Sequence, residues 1–154
     1  MFRLDYYNST LWGLPANHLN RLQKIQNAAV RIVTRTVSRE HNTPDLRSLH
    51  WLLVSKRIEY KILCLTYQCV YKTAPKYPQE LISRYSPPRS LRISSLCRLS
   101  VSGFGENTNK KRSGARSFRN AAATLWNRLP DKRHQATDIA SFWQQLNSHL
   151  FSTL

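Results

Sequence analysis

Residues 55–71, SKRIEYKILCLTYQCVY, form the most apolar stretch of the chain and decide its fold. Apolar residues recur at helical spacing on two faces, which hold Ile58, Ile62, Leu65 and Cys69, and Tyr60, Leu63, Tyr67 and Val70. A helix that is apolar on nearly every side is buried on nearly every side. The pattern therefore predicts a central helix, capped by Ser55, within a mainly α-helical chain.

Further helical patterns lie on both sides of this segment. Before it, residues 17–36 predict a helix capped by Asn17, and its expected buried face holds Leu19, Leu22, Ile25, Ala29, Ile32 and Val33. Short helices are predicted from Thr43, with Pro44 in the first turn, and over 80–84. Two more are predicted from Phe118 to Leu129 and, capped by Thr137, through Leu150, with Trp126 and Trp143 in the core.

The middle of the chain has a different composition. Residues 86–116 are rich in Ser, Arg, Gly and Pro, and Cys97, Leu99 and Val101 alternate with polar residues, which is a weak strand signal. We therefore expect a helical region over 1–85, a basic linker or small β-hairpin over 86–116, and a C-terminal helical pair over 117–154. A length of 154 residues suits one domain with an appendage.

The charge of the chain is strongly positive and unevenly placed. Its 24 Lys and Arg against 8 Asp and Glu give a net charge of +16, and Glu106 is the single acidic residue within 81–130. Such a block repels itself unless solvent or a bound polyanion surrounds it, and nucleic acid is the commonest such polyanion. One stripe of the first long helix also holds Arg21, Lys24, Arg31 and Arg35; a solvated helix face is the alternative interpretation of this stripe.

The sequence offers no catalytic or metal-binding pattern. Its carboxylates form no close Asp pair, its His and Cys residues lack zinc spacing, and Gly103 and Gly105 lack the Lys-Ser/Thr of a phosphate-binding loop.

Three cysteines in no framework spacing favour a reduced, intracellular protein, in the nucleus or cytoplasm. An Arg-rich first helix leaves a mitochondrial presequence open. The apolar run 62–71 is about half of the ~20 residues that span a membrane, so no membrane partner is expected. We expect neither a cofactor nor an autonomous enzyme.

Ten pieces of the sequence, in order along almost the whole chain, together resemble the region after the polymerase palm in non-LTR (LINE-type) retrotransposon reverse transcriptases. They are Leu4-Asp5-Tyr6-Tyr7-Asn8-Ser9, Leu14-Pro15, Leu22-Gln23-Lys24-Ile25-Gln26-Asn27-Ala28-Ala29, Thr43-Pro44 with Leu49-His50-Trp51-Leu52, Arg57-Ile58-Glu59-Tyr60-Lys61-Ile62-Leu63, Ala74-Pro75 with Tyr77, Arg89-Ser90-Leu91-Arg92, Gly114-Ala115-Arg116-Ser117-Phe118, Leu125-Trp126-Asn127-Arg128-Leu129-Pro130, and Ser141-Phe142 with His149-Leu150-Phe151. Their collinear order carries the resemblance, since no single piece is diagnostic.

The resemblance implies only the thumb and C-terminal segment of an RNA-directed DNA polymerase. The Ala-Asp-Asp tripeptide that holds catalytic magnesium in that family does not occur here, nor does an endonuclease domain or a Cys/His zinc knuckle. Tyr7 stands where the family usually has Cys, Leu53 where it has Pro, and Pro78 where it has an apolar helix former. Because Met1 also falls inside what should be a continuing element, we expect a truncated or decaying copy of such an element.

The leading hypothesis is a non-catalytic fragment that binds the backbone of RNA, DNA or an RNA–DNA duplex. The expected phosphate contacts are Arg21, Lys24, Arg31, Arg35, Arg89, Arg92, Lys110, Lys111, Arg112, Arg116 and Arg119. The alternative is an element-derived interaction module that self-associates through apolar surface exposed by loss of the palm. An active polymerase would need a palm supplied by another chain.

Overall fold

The structure, a computed structural model, describes residues 8–36, 42–86, 97–101, 117–134, 136 and 138–152. A 3₁₀ turn, Asn8–Leu11, precedes the α-helices of these ranges. The helices are α1 (Ala16–Thr34), α2 (Thr43–Ser48), α3 (Val54–Val70), α4 (Lys76–Glu80), α5 (Phe118–Arg128), α6 (Asp131–His134) and α7 (Ile139–Ser152). The prediction of a mainly helical chain is confirmed.

Helix α3 occupies the centre, as its apolar pattern predicts. Ile58, Ile62 and Tyr67 are buried in one apolar cluster that α5 and α7 complete from the other end of the chain. Residues of the regions 1–85 and 117–154 therefore share a single core. None of the described helices combines the length and apolar character needed to cross a bilayer.

Aromatic rings fill the space between α3, α5 and α7. The rings of Tyr67 and Phe142 stack at a centroid distance of 4.3 Å, and those of Trp126 and His134 at 4.7 Å. The Tyr67 hydroxyl donates a hydrogen bond of 3.1 Å to the carbonyl of Ala136, so this buried polar group has a partner. Trp126 is fully buried, as predicted.

The prediction that Trp143 belongs to the core is wrong. Trp143 is 38 % exposed, whereas Phe142, Leu146 and Leu150 of the same helix are buried. These three residues are four positions apart and form one face of α7, the face that meets α3. Trp143 lies about 100° away from Phe142 around the helix and is directed away from that contact.

Helix α1 packs against the core through Leu19 and Leu22, as its apolar pattern predicts, but the rest of its buried face differs from the prediction. Gln26 is 1 % exposed and Val30 is 0 % exposed, whereas Ile25, Ile32 and Val33 are 60 %, 79 % and 57 % exposed. The expected burial of these last three residues is therefore wrong. We refer to Ile25, Ile32 and Val33 as the apolar stripe of α1.

Two glutamine side chains explain this orientation. Gln26 Nε2 donates to the carbonyl of Leu52 at 2.8 Å, and Gln23 Oε1 accepts a hydrogen bond from the Val54 backbone N–H at 2.9 Å. The second bond satisfies one of the donors that the start of α3 leaves without an intrahelical partner. The Leu52 carbonyl and the Val54 N–H each avoid a cost of about 1–3 kcal/mol by finding a partner, which is comparable to burying an aliphatic side chain. Gln26 Oε1 is buried without a hydrogen-bond partner among the described residues, so Gln23 makes the more favourable of the two contributions.

Several helix ends differ from the predicted caps. Pro15 and Asn42 occupy the N-cap positions expected for Asn17 and Thr43. Leu53 replaces Ser55 in this role at α3. Asp138 Oδ2 accepts a hydrogen bond from Ser141 N at the start of α7, and Thr137, the predicted cap, lies outside the described residues.

The short helix predicted over 80–84 is found earlier, as α4. Its N-cap is Pro75, and Pro78 is its third residue. Proline is tolerated there because the first turn of a helix has no intrahelical acceptor for its backbone N–H groups. Pro75 and Pro78 therefore begin this helix rather than precede it.

The predicted β-hairpin is not shown. Among the described residues, the basic segment contributes one isolated antiparallel bridge, between Arg84 and Leu99, and no strand. The other edge of Leu99 is occupied by a side chain: Leu99 N donates to Asn127 Oδ1 at 3.0 Å, and Asn127 Nδ2 donates to the Leu99 carbonyl at 2.9 Å. The stretch 97–101 is thus held against α5 by this amide, and residues 87–96 and 102–116 lie outside the described ranges.

Candidate functional site

The predicted basic stripe of α1 is present as a row along one side of the helix. Arg21, Lys24 and Arg35 are exposed, and Arg31 is partly buried. At 100° per residue these four side chains span about 80° of the helix circumference. We call Arg21, Lys24, Arg31 and Arg35 the α1 row.

Among the described residues, no ion pair joins a carboxylate to the α1 row. The sequence of α1 contains neither Asp nor Glu, and within the described residues the ion pairs are Lys56–Glu59 and Arg98–Asp131, both at 3.3 Å. Arg31 Nε is buried and has no hydrogen-bond partner among the described residues. The row therefore presents positive charge that nothing on its own helix balances.

The other predicted contacts are only partly described. Arg119 is exposed in the first turn of α5, on a different element from the α1 row. Outside the described residues lie Arg89, Arg92, Lys110, Lys111, Arg112 and Arg116. The structure thus brings four of the predicted residues together and places one elsewhere.

A second basic feature was only partly visible in the sequence. Two adjoining cavities, of about 400 and about 210 Å³, lie between the end of α2, the first turns of α3 and the end of α7, and both are bordered by His50 and Asn147. Arg47 borders the larger cavity, and Arg57 and Lys61 border the smaller one. We call this feature the basic groove. In the sequence, this groove is indicated by three cations near the start of α3, Lys56, Arg57 and Lys61. A solvated helix end explains the same pattern.

Other cations have structural partners. Arg84 Nη2 donates to the carbonyl of Val70 at 3.3 Å, at the end of α3, and Arg98 pairs with Asp131. Tyr85, the next residue in the sequence after Arg84, is 45 % exposed. The contacts of Arg84 and Arg98 distinguish these two cations, which stabilise the fold, from the exposed cations of the α1 row.

The described carboxylates are dispersed. Asp45 accepts from the Thr36 hydroxyl at 2.9 Å, Asp138 accepts from the start of α7, and Glu59 and Asp131 form the two ion pairs. Within the described part of the chain, no group of three His, Cys, Asp or Glu side chains is placed to hold a metal ion. These acids have capping, hydrogen-bonding or pairing partners.

Two thiols and one phenol of α3 are held in their protonated forms. Burial raises the pKa of Cys64 and of Cys69 to about 11 and the pKa of Tyr60 to about 12. Cys64, Cys69 and Cys97 are free cysteines. A thiol with such a pKa is a weak nucleophile at neutral pH, because the thiolate is the reactive form.

Burial lowers the pKa of two histidines. His134 is buried against Trp126, and its Nε2 lies 3.0 Å from the Trp126 carbonyl, while desolvation lowers its pKa. Desolvation also lowers the pKa of His149, with Arg133 and Lys56 acting in the same direction. Both rings are therefore neutral at pH 7 and add nothing to the positive surface.

Comparison with known proteins adds no relative: no protein-family model matches the chain, and no curated protein or solved structure is detectably similar to it.

Proposed function

We propose that this chain binds nucleic acid without catalysing a reaction, gripping the sugar–phosphate backbone of RNA or of an RNA–DNA duplex. In this proposal it is the thumb and C-terminal fragment of a LINE-type retrotransposon reverse transcriptase, acting in the nucleus or cytoplasm. Residues 1–85 form the thumb-like region, residues 86–116 a basic linker or hairpin, and residues 117–154 the C-terminal helical pair.

The α1 row is the observation that carries the proposal. Guanidinium and ammonium groups on one side of a helix suit phosphate contacts, and three of the four are exposed without a carboxylate partner among the described residues. A net charge of +16 adds long-range attraction for any polyanion. Contacts of this kind position the backbone and carry little sequence preference.

A salt titration tests the proposal. If about five phosphates are neutralised, the logarithm of the binding constant should fall with the logarithm of salt concentration at a slope of roughly −3 to −5. Filter binding on duplex RNA and on an RNA–DNA hybrid measures this slope. A slope near zero would contradict backbone binding.

A charge-matched pair of variants then locates the contact. Replacing Arg21, Lys24 and Arg35 by Gln should make the slope about 2–3 less negative, because three phosphate contacts are lost. The control replaces three exposed cations outside the α1 row and the basic groove by Gln, namely Lys72, Lys76 and Lys132. Equal effects of the two triple variants would mean that net charge alone, and not the α1 row, sets the affinity.

The apolar stripe of α1 favours a second candidate function, self-association. Ile25 and Ile32 are seven residues apart on one side of the helix and are both largely exposed. In a two-fold pairing of antiparallel α1 helices, Ile25 of one copy meets Ile32 of the other. Size-exclusion chromatography in high salt separates the candidates: a persistent oligomer that Ile32→Ser dissolves favours self-association, whereas a monomer that shifts on adding RNA favours nucleic-acid binding.

A further inference from the structure

The basic groove joins parts of the chain that are far apart in sequence. Its larger cavity is bordered by Arg47, His50, Asn147, Ser148, Phe151 and Ser152, and its smaller one by His50, Leu52, Arg57, Tyr60, Lys61 and Asn147. The larger volume, about 400 Å³, falls within the range of small-molecule sites. Among the described residues, no carboxylate borders either cavity.

The turn that carries His50 has an unusual residue for its conformation. After α2, His50 N donates to the Arg47 carbonyl at 3.0 Å and Trp51 N donates to the Leu46 carbonyl at 2.8 Å, the two bonds of a Schellman motif. His50 takes the left-handed position of this motif, with φ 53°, where glycine is usual because a Cβ atom costs about 1–2 kcal/mol there.

The side chain of His50 places an imidazole ring at the groove, whereas glycine would leave no ring there. Its ring meets the ring of Phe151 edge to face, at a centroid distance of 6.2 Å and an interplanar angle of 66°. It also stands on the border shared by both cavities. The turn therefore holds a nitrogen-bearing ring at the junction of the groove.

The charges that border the groove favour the binding of an anion. The end of α7 contributes about half an elementary negative charge from its helix dipole. Arg47 and Lys61, which are both exposed, contribute two permanent positive charges, and Arg57, which has an interaction of its own, is not counted. About one and a half positive charges remain after the helix end is compensated, so stabilisation of the α7 end does not account for all of them.

We propose that the basic groove binds the phosphate group of a nucleotide. Arg47 and Lys61 supply the charge, and the Asn147 side-chain amide supplies a neutral donor. Phe151 borders the larger cavity and Tyr60 the smaller one, and each offers ring surface on which the sugar or base rests. The inference rests on the proposed function. It adds that one nucleotide of the bound strand occupies the basic groove, at a position separate from the α1 row.

Nuclear magnetic resonance on the whole chain tests this site. Adenosine 5′-monophosphate at millimolar concentration should shift the signals of His50 and of the Asn147 side chain, inorganic phosphate should shift the same signals, and adenosine should shift neither. Shifts with adenosine alone, or no shift with either phosphate, would overturn the proposal. Shifts with inorganic phosphate but none with the nucleotide would show that the site takes a free phosphate, which also overturns it.

Variants provide the second arm. The double variant Arg47→Gln/Lys61→Gln should weaken nucleotide binding by ~tenfold or more, because two charge-assisted hydrogen bonds are lost. The control, Lys72→Gln/Lys76→Gln, removes the same charge at exposed sites away from the groove and should change the affinity less than about twofold. Both pairs are exposed, and a thermal melt verifies that each variant folds.

The two proposals fail in different ways. Nucleotide shifts at His50 in a chain with a flat RNA salt slope would contradict the proposed function and leave the groove standing. A steep RNA slope with no nucleotide shift, or with an unchanged affinity in Arg47→Gln/Lys61→Gln, would contradict the groove and leave backbone binding standing.

Discussion

The orientation of α1 can be tested with one substitution made at two places. Val30 is fully buried and Val33 is 57 % exposed, although the apolar pattern of the sequence places Val33, and not Val30, on the buried face. Val30→Ala and Val33→Ala remove the same atoms from the same helix. Because both sites are interior to α1, the gain in helix propensity, up to ~0.7 kcal/mol, is nearly the same for both.

The expected magnitudes follow from burial. Each variant removes the equivalent of two methylene groups, which at ~0.8 kcal/mol per buried group costs about 1.6 kcal/mol, with a cavity contribution in addition. After the propensity gain, Val30→Ala should destabilise the protein by roughly 1–2.5 kcal/mol. Val33→Ala loses less than half of that burial, so its free energy of unfolding should change by under about 0.5 kcal/mol.

Urea denaturation followed by circular dichroism measures both variants. We expect a clear fall in the transition midpoint for Val30→Ala and almost none for Val33→Ala, with unchanged slopes. The reverse order would mean that α1 is rotated towards the face its apolar pattern predicts, and that Gln23 and Gln26 do not hold it. The apolar stripe would then be buried, and self-association through it would lose its basis.

Three further predictions concern stability and use the same denaturation assay. Burial lowers the pKa of His134 in the folded protein, so the unfolded chain binds more protons. The free energy of unfolding should therefore fall as the pH drops below about 6.5. His134→Phe, which keeps a ring against Trp126, should weaken this pH dependence. An equal pH dependence in His134→Phe would assign it to other groups. Lys72, at φ 59° after α3, should tolerate Lys72→Gly with a gain of up to about 1 kcal/mol, whereas a loss would show that its side chain is needed there. Gln23→Ala should lower the free energy of unfolding by about 1 kcal/mol, because the Val54 N–H loses its acceptor. An unchanged urea midpoint would show that this bond does not stabilise the position of α1.

Helices α3, α5 and α7 could be predicted because apolar periodicity alone determines them. The buried residues Ile58, Ile62 and Phe142 recur at helical spacing, and Leu129-Pro130 ends α5 where the sequence indicates. Such residues gain free energy from any apolar environment, so their pattern does not depend on which partner covers them.

The burial of Gln26 and Val30 on α1 could not be predicted from the apolar pattern, because it depends on directional bonds. Gln26 and Gln23 bond to backbone groups 26 and 31 residues further along the chain. A hydrophobic pattern counts glutamine as a solvated residue and contains no information on whether a distant carbonyl or N–H group needs a partner. The same limit explains why Asn127 was not seen as the partner of Leu99.

The two basic features differ in the same way. The α1 row follows from helical spacing within one segment, so the sequence predicts it as soon as the helix is predicted. The basic groove needs the start of α3 and the end of α7 side by side, together with a left-handed turn at His50. Neither the packing of those helices nor the turn is visible in a list of charged residues.

The α1 row and the apolar stripe adjoin on one helix, so the two proposed functions are thermodynamically coupled. Pairing of two α1 helices through Ile25 and Ile32 brings two uncompensated rows of cations together, and their repulsion opposes the gain from apolar burial. Phosphates bound to the rows would remove that repulsion, and linkage requires that pairing then strengthens RNA binding by the same factor. Sedimentation velocity with a short RNA duplex should therefore show more dimer than protein alone, and Ile32→Ser should abolish the increase. If RNA instead separates existing dimers, the strand covers the apolar stripe itself, and the row and the stripe are one binding surface rather than two.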